Sequence, residues 1–593
     1  MKKYMKYEAL DIEILWIRGI AKPICISISD EDKINTKIVD KNEIDDKKIL
    51  NFMLEKCKNK RIYYVHNLTF EGIVFIKELI DLGIKFKFLS INGNIYSMDI
   101  FYKRKRIKLR CSYRLTMLSL DKLSEMCGYE KQSFPYKILN EKMNKYMKIS
   151  EKEFNNKLEY DKFMKENKIE CKYINMYKLI KKYCENDVII TKKSVIDFWK
   201  TLSEFNIKND GKMLTAAKIS IKNYLDNYKG IKSKIKTKDD ELLRKSYFGG
   251  RTEVFGNIKD NEICLHFDWS GMYAQCMKEN ILDGDWFESK SRDYKEPGFY
   301  YIKFKQKMEI PVLPIKRGKL IFANGVFEGW YWFEEILLFV ERGGIVLEVN
   351  KCISSRYFDK FISEYVDKNN EIRKMGGVYK QIGKNNNNSL YGRFGMNKKL
   401  LKEEIYEEGK KYEIIKYKGG IKFGCNYEEN KLTNVGIASI ITSKARIKLY
   451  KGFMEVQKEG GRVLYCDTDS IIAAFDKRNY KNKLDKKFGE VMFDSSDNKT
   501  IIEDCVFTSP KSYALKYKNG VEIVKIKGIK TYPNFNKFKW FFYKGISFNI
   551  KQMNWEKKNM IYELVEVEKK VNLRNLDKRI WCEDLKETKT LNL

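Results

Sequence analysis

The chain is 593 residues long, with 116 Lys+Arg against 81 Asp+Glu and a formal net charge of +35. That length makes about two to four packed units with ample core, and the spread of basic residues over the whole chain suits a polyanionic partner. Thirteen Cys without a Cys-x-x-Cys pair and only two His, His66 and His266, exclude a zinc finger or ribbon and read as reduced core thiols in a cytosol-like compartment.

A lysine-rich surface also arises from compositional bias, so charge alone leaves the partner open. Aromatic residues at 14%, with 38 Tyr, add surfaces on which bases can stack. Asp11, Glu13 and Arg18 interrupt any signal-peptide core, and no apolar run is long enough to span a bilayer.

From the N-terminus, Leu10-Asp11-Ile12-Glu13-Ile14-Leu15 alternates apolar and acidic residues, which predicts a buried strand with Asp11 and Glu13 on one face. A second extended run, Arg61 to Val65, ends in His66-Asn67-Leu68-Thr69-Phe70-Glu71-Gly72, and a helical pattern follows over Val74 to Leu82. Ser119-Leu120-Asp121-Lys122-Leu123 reads as a helix start with Ser119 as N-cap. Residues 173–202 read as a helix that sets Tyr183 and Asp187 one turn apart. Each of these acids alone is an ordinary capped or solvated carboxylate. A strand pair, a strand-end acid and a helix-borne Tyr/Asp pair can also converge on two metals.

Tyr247-Phe248-Gly249-Gly250 reads as a turn whose glycines allow close backbone approach. Cys264 to Ala274 reads as strand, turn and helix, with Asp268 at the strand's end, open to a cleft, and Tyr273 beyond it. From Ser354 two helices are expected, an amphipathic one around Phe358 to Arg373 and one carrying Lys384 and the run Asn385-Asn386-Asn387-Asn388-Ser389-Leu390-Tyr391-Gly392. An asparagine run by itself is more often a low-complexity loop. As a helix it sets Lys384, Asn388 and Tyr391 at i, i+4 and i+7 on one face, a cation beside an aromatic ring. Arg373, eleven residues before Lys384, offers a second cation.

Residues 397–431 are charged, Gly-containing and strand-like, and Thr433 to Arg446 leads into a buried helix. Arg462 to Phe475 predicts a hairpin with Asp467 and Asp469 at its tip, pointing the same way. Alone, Asp-Thr-Asp is turn chemistry. Two carboxylates that close either raise a pKa or hold divalent cations. Lys511 and Tyr513 follow the hairpin, Lys525-Ile526-Lys527-Gly528 continues a basic strand, and the chain after about 530, with Phe535, Trp540, Phe541 and Phe542, forms a small basic unit.

In order and spacing these pieces resemble the family B DNA polymerases, and the compact length resembles their protein-primed branch of small tailed phages, adenoviruses and linear plasmids. Asp11 and Glu13 match the first exonuclease motif of DnaQ-like proofreading domains, Asn67, Phe70 and Glu71 the second, and Tyr183 with Asp187 the third. Glu71 stands where Asp is usual, and Ile14 where Thr is usual. Ser119-Leu120 resembles the element that holds single-stranded DNA, and Tyr247-Phe248-Gly249-Gly250 the Tyr-x-Gly-Gly element that contacts template. Asp268 and Tyr273 match the first polymerase motif, with Gly271, Met272 and Ala274 in place of Ser, Leu and Pro. Lys384, Asn388, Ser389, Tyr391 and Gly392 match Lys-x-x-x-Asn-Ser-x-Tyr-Gly of the fingers. Lys511 and Tyr513 match the Lys-x-Tyr primer grip.

The resemblance implies a multidomain fold mixing α/β and α+β units, with an RNase H-like (DnaQ-like) 3′-5′ exonuclease domain over 1–195 and a right-hand polymerase domain over 196–593. Within the latter it implies a palm over about 196–300 and 432–530, a first insertion over about 300–353, fingers over about 354–396, a second insertion over about 397–431 and a thumb over about 531–593. It implies two-metal (Mg²⁺ or Mn²⁺) in-line phosphoryl transfer from dNTPs, with Asp268 and Asp469 as principal ligands and Asp467 beside them. Asp11, Glu13, Glu71 and Asp187 would hold the metals of proofreading. The implied partners are primer-template DNA, single-stranded DNA and a separate terminal protein whose hydroxyl primes synthesis. A strand-displacing, processive monomer without membrane association is expected, in phage-infected cytoplasm or serving a linear plasmid. Two other readings stay open: an exonuclease whose polymerase-like half only grips DNA, and a non-catalytic DNA-end-binding protein.

Overall fold

The computed structural model describes residues 6–18, 20–91, 94–154, 157–167, 173–207, 209, 211, 213–228, 237–418, 421–430, 433–478, 480, 501–529, 532–558 and 561–593. The N-terminal half is organised around the strand Lys6–Ile17. Its Leu10, Ile12 and Ile14 enter an apolar cluster with the helices Asp46–Lys56 and Leu68–Asp81, whereas Leu15 packs with Ile180, Tyr183 and Cys184. Alternation along the strand therefore sends Asp11 and Glu13 to the face covered by the helix Met176–Glu204.

Lys6–Ile17 runs antiparallel to Ile20–Asp30, which pairs with Lys33–Ile38, and parallel to Arg61–Val65, itself parallel to Lys105–Cys111. Five strands in that order with the second one reversed are the RNase H-like arrangement. Asn94–Tyr102 and Phe86–Ile91 extend it.

The C-terminal half centres on a seven-stranded antiparallel sheet in the order Thr252–Val254, Arg462–Asp467, Ser470–Asp476, Glu262–Asp268, Ile501–Ser509, Ser512–Tyr517, Glu522–Lys525. Behind it lies the helix Val435–Lys458, buried along most of its length. A four-stranded sheet (Ile281–Ser289, Ile345–Asp359, Phe299–Gln306, Gly325–Trp332) with an aromatic interior of Phe299, Phe304, Tyr331 and Trp332 leans on that helix through Phe333–Glu341. Two packed helices, Ser363–Lys374 and Gly377–Phe394, stand where fingers are expected.

Two hairpins tie the halves together. Lys399–Ile405 pairs with Ile421–Glu429 and meets the N-terminal sheet at Glu403↔Ser90, while Phe548–Lys558 and Ile561–Val571 meet it at Ile20↔Glu563. One twelve-stranded sheet results.

Several elements straddle the expected boundaries. The helix Met176–Glu204 runs through position 195. The four-stranded sheet begins at Ile281, and its long strand Ile345–Asp359 occupies the start of what the amphipathic pattern suggested was a helix from Phe358. Alternation in that strand and the helical spacing after it share Phe358, so the pattern cannot place the junction. The tail after Leu576 keeps contact with the helix Phe535–Lys544 through Trp581, whose ring lies 5.2 Å from that of Phe542. Thr588 donates from its N and Oγ1 to Phe255 and Val254 carbonyls, and Asn257 donates to Leu585, stitching 579–593 onto the palm. None of the twelve described cysteines is in a disulfide and ten are buried, in keeping with core thiols. No helix among the described residues is long and apolar enough to cross a membrane.

Candidate active sites

The hairpin expected at Tyr465 to Ser470 is present, and backbone pairing fixes its carboxylates. Asp268 stands opposite Ser470 at the end of its strand, Asp467 opposite the same Ser470 in the hairpin, and Trp269 N donates to Asp469 O at 2.9 Å. Thr468 takes a left-handed conformation at φ 63°, and its N donates to Arg251 O at 2.8 Å. That contact explains Gly250: a Cβ there would lie 2.7 Å from Thr468 Cγ2, so only glycine lets the loop lie against the hairpin tip. Gly249 faces open space.

Asp467 accepts from Thr252 Oγ1 at 3.0 Å and pairs with Lys511 Nζ at 3.3 Å. Asp469 differs. Burial and then the nearby Asp467 charge raise its pKa. Asp268, Asp467 and Asp469 offer hard oxygen donors at adjoining strand ends, with Asp469 held in a setting that favours a proton or cation, a donor chemistry that suits a divalent metal.

The ring of Tyr273 stacks on Tyr391 with centroids 4.1 Å apart, and burial foremost, with the Asp469 charge a smaller cause, raises the pKa of both. Lys384 and Asn388, the other members of that helix face, are exposed. The four asparagines divide among three neighbours. Asn385 donates to Thr116 O, Asn386 to Asn369 Oδ1 and Asn387 to Asn370 Oδ1, leaving Asn388 on the open face. Arg373 reaches the palm. A Cβ on Gly271, which has φ 70°, would lie 3.5 Å from Arg373 Nη1.

Tyr247 packs its hydroxyl end against Gly395 at the end of the same helix. The backbone around it is anchored by Arg446, which donates to Phe248 O at 2.8 Å and Gly249 O at 3.2 Å while forming a buried bidentate pair with Glu335 at 2.7 and 2.9 Å. Lys511 occupies the turn before Ser512–Tyr517 with φ 63°, and its N donates to Tyr465 Oη. Tyr513 lies 5.6 Å from the Tyr465 ring.

In the N-terminal half Asp11, Glu13, Glu71 and Asp187 converge. Burial foremost, then mutual repulsion, pushes the Asp11 pKa up to about 8 and holds Glu13 and Glu71 well above the carboxylate range. Burial raises Asp187 to about 6. Glu71 Oε2 and Asp187 Oδ1 are buried without a hydrogen-bond partner. Four acids in a buried pocket, two of them with an unpartnered oxygen, cannot all ionise without cations, so this donor set also fits divalent metals. Ile14 is buried on the opposite strand face and does not touch the acids' side. Asn67 begins the Glu71 helix in a left-handed conformation at φ 73° with no side-chain cap bond, and Phe70 follows half-buried. Ser119 caps the helix Leu120–Met126 by accepting from Lys122 N, and Leu120 is buried against Ile190.

Sequence reasoning missed Lys131. Its Nζ donates to the Tyr183 hydroxyl at 2.7 Å and lies 3.8 Å from Asp187, lowering the pKa values of Asp11, Glu13 and Asp187. Tyr136, whose hydroxyl bonds that of Tyr183, was missed with it. Neither lies in a motif, and one lysine among many carries no sequence signal. Arg446 was read only as part of a buried helix.

The family described as DNA polymerase type B, organellar and viral, matches residues 53–483. A "Probable DNA polymerase" of Podospora anserina is 26% identical over 609 residues, covering 83% of this chain and 49% of that protein. The DNA polymerase of Bacillus phage phi29 is 26% identical over 465 residues, covering 71% and 72%. The chain spans about half the length of the fungal relatives it matches. The solved structure of phi29 DNA polymerase complexed with primer-template DNA superposes with a TM-score of 0.70 at 17% identity, covering 96% of this chain and all of that one. The same polymerase complexed with single-stranded DNA also gives 0.70, at 16% identity.

Proposed function

The chain belongs to the organellar and viral type B DNA polymerases, and on that premise we propose that it is a DNA-templated DNA polymerase with a 3′-5′ proofreading exonuclease. The observation that carries the polymerase reading is the meeting of the Asp268 strand end, the Asp467–Asp469 hairpin and the stacked Tyr273–Tyr391 pair around one cleft. Bound divalent metal, Mg²⁺ or Mn²⁺ with two per site, would supply charge neutralisation and an activated attacking oxygen. The chain's own groups orient the reactants. Tyr391 and Tyr273 form a platform for the nascent pair, exposed Lys384 and Asn388 present a cation and an amide to the triphosphate, and Arg373 offers a second cation beside Gly271. Lys511 supplies positive charge near Asp467, and Tyr247, Gly249 and Gly250 border the template path.

In the exonuclease, Asp11, Glu13, Glu71 and Asp187 hold the cations while Lys131 fixes the Tyr183 hydroxyl. Asn67, Phe70, Ser119, Leu120 and Tyr513 are the proposed contacts to primer and single strand. Primer extension and single-strand degradation test the two halves separately. Asp469→Asn abolishes incorporation and spares degradation, and Asp11→Ala does the reverse; incorporation surviving Asp469→Asn overturns the assignment.

We also propose protein priming, with a terminal protein as partner. What supports it is the family resemblance, under which the four-stranded sheet between Ile281 and Asp359 and the paired strands Lys399–Ile405 and Ile421–Glu429 are read as the two insertions. A nucleotide covalently linked to protein, formed without nucleic-acid primer, is the expected product. Its absence with the cognate partner present counts against priming by protein.

A further inference from the structure

The exonuclease pocket contains a sulfur. Cys184 follows Tyr183 on the helix, is fully buried, and lies with its Sγ 3.5 Å from the Asp11 carbonyl oxygen. One donor atom each from Asp11, Glu13 and Cys184 lies within 4.8 Å of the others. Cys25, opposite Glu13 in the sheet register, brings a second thiol to the same wall.

We propose that Asp11, Glu13 and Cys184 form a mixed carboxylate–thiolate site for a thiophilic divalent cation, Zn²⁺ or Cd²⁺, overlapping the position that Mg²⁺ takes in excision. Zn–O bonds of about 2.0–2.2 Å and Zn–S bonds of about 2.3 Å bring donors on one ion to roughly 3.5 Å apart. Small side-chain rotations close the observed triad to that spacing. A tetrahedral ion takes a fourth donor, and the buried, unpartnered Glu71 Oε2 and Asp187 Oδ1 stand in the same acidic pocket, electrostatically coupled to Asp11. Hard cations such as Mg²⁺ gain nothing from sulfur, whereas Zn²⁺ and Cd²⁺ do, so the thiol tilts this one centre toward soft metals. Binding releases the Cys184 proton and leaves a Cys–metal bond. The polymerase site has two carboxylates at its hairpin tip and Asp268 on the neighbouring strand, and Cys466, beside Asp467, points to Arg251 O. Zn²⁺ is thus expected to suppress excision at concentrations that leave incorporation intact.

The proposal rests on Asp11 and Glu13 being cation ligands, as the proofreading reading has them. Cd²⁺ titrated into the metal-stripped full chain, with Mg²⁺ in excess, is followed by the ultraviolet thiolate-to-metal charge-transfer band. One equivalent is expected to produce the band in wild type, Cys184→Ser to lose it, and Glu13→Gln to weaken Cd²⁺ affinity about tenfold or more. Anomalous diffraction from Cd²⁺-soaked wild-type crystals gives a reading independent of whether the variants fold, with the scatterer expected between Asp11, Glu13 and Cys184. A band unchanged in Cys184→Ser, no band in wild type, or a scatterer elsewhere overturns the proposal. Single-strand degradation in Mg²⁺ is measured in parallel. A chain that never degrades DNA but binds Cd²⁺ at Cys184 fails the nuclease reading and keeps this site; active excision without the Cd²⁺ signal does the opposite.

Discussion

Tyr273 and Tyr391 stack with centroids 4.1 Å apart and planes 21° from parallel, one ring from the palm and one from the fingers. Neither ring is fully buried, so the pair offers a flat edge to the cleft rather than filling a core. An aromatic pair of this kind contributes about 0.5–1.5 kcal/mol beyond area burial. Tyr391→Ala is therefore expected to raise KM for nucleotide about three- to tenfold, whereas Tyr391→Phe, which keeps the stack, stays close to wild type. Steady-state primer extension over a dNTP series checks both.

Gly250 and Thr468 offer a second test. A methyl at Gly250 must push Thr468, and with it the tip that carries Asp467 and Asp469, by a sizeable fraction of an ångström. Misplacement near 1 Å at a reacting centre costs about 10²-fold. Gly250→Ala is expected to lower kcat on that scale, whereas Gly249→Ala, whose Cβ enters open space, leaves the hairpin tip in place and is expected to change KM for primer-template rather than kcat. Thr468→Gly in the Gly250→Ala background removes the clashing atoms, and partial recovery of kcat marks the contact as the cause.

What the sequence made legible was whatever has a short period. Asp11 and Glu13 two apart on a strand and Tyr183 and Asp187 four apart on a helix follow from backbone geometry, whereas strand alternation stops at Asp467, because Thr468 is left-handed at φ 63° and the turn rather than the spacing sets the place of Asp469. The illegible parts depend on long-range contacts. Lys131 matters because a loop brings it to Tyr183, and the Asn385–Asn388 run escapes its low-complexity reading because Thr116, Asn369 and Asn370 each take one amide. The strand Ile345–Asp359 was mistaken at its end because a strand-to-helix junction leaves no periodic mark.

The Arg446–Glu335 pair predicts stability rather than chemistry. Both side chains are almost wholly buried, and Arg446 also holds the Phe248 and Gly249 carbonyls. Removing one partner of such a pair strands a buried charge and costs about 3–5 kcal/mol. Arg446→Ala is expected to lower the denaturant midpoint of the polymerase half accordingly. Arg446→Met with Glu335→Leu, which removes both charges, is expected to recover much of that loss while incorporation stays low, because the Tyr247 loop has lost its anchor.

The acid pocket of the N-terminal half predicts how the metal-free protein responds to pH. Folding raises Asp11 to about 8 and Asp187 to about 6 from an ordinary value of 3.8, chiefly through burial. Between the unfolded and folded values the native state binds more protons than the unfolded one, so stability contributed by these groups is complete at low pH and is lost as pH rises through about 6 and then 8. With EDTA present, the melting temperature of this half is expected to fall between pH 5.5 and 8.5 by several degrees, at about 2–4 °C per kcal/mol for a unit of this size. A divalent cation satisfies the ionised carboxylates in place of protons, so Mn²⁺ is expected to restore the melting temperature most strongly at the high-pH end. Differential scanning calorimetry across that range, with and without metal, checks the sign. A melting temperature that rises with pH in EDTA would mean that Asp11 and Asp187 are ionised in the folded protein and paired with a cation source other than metal, of which Lys131 is the nearest.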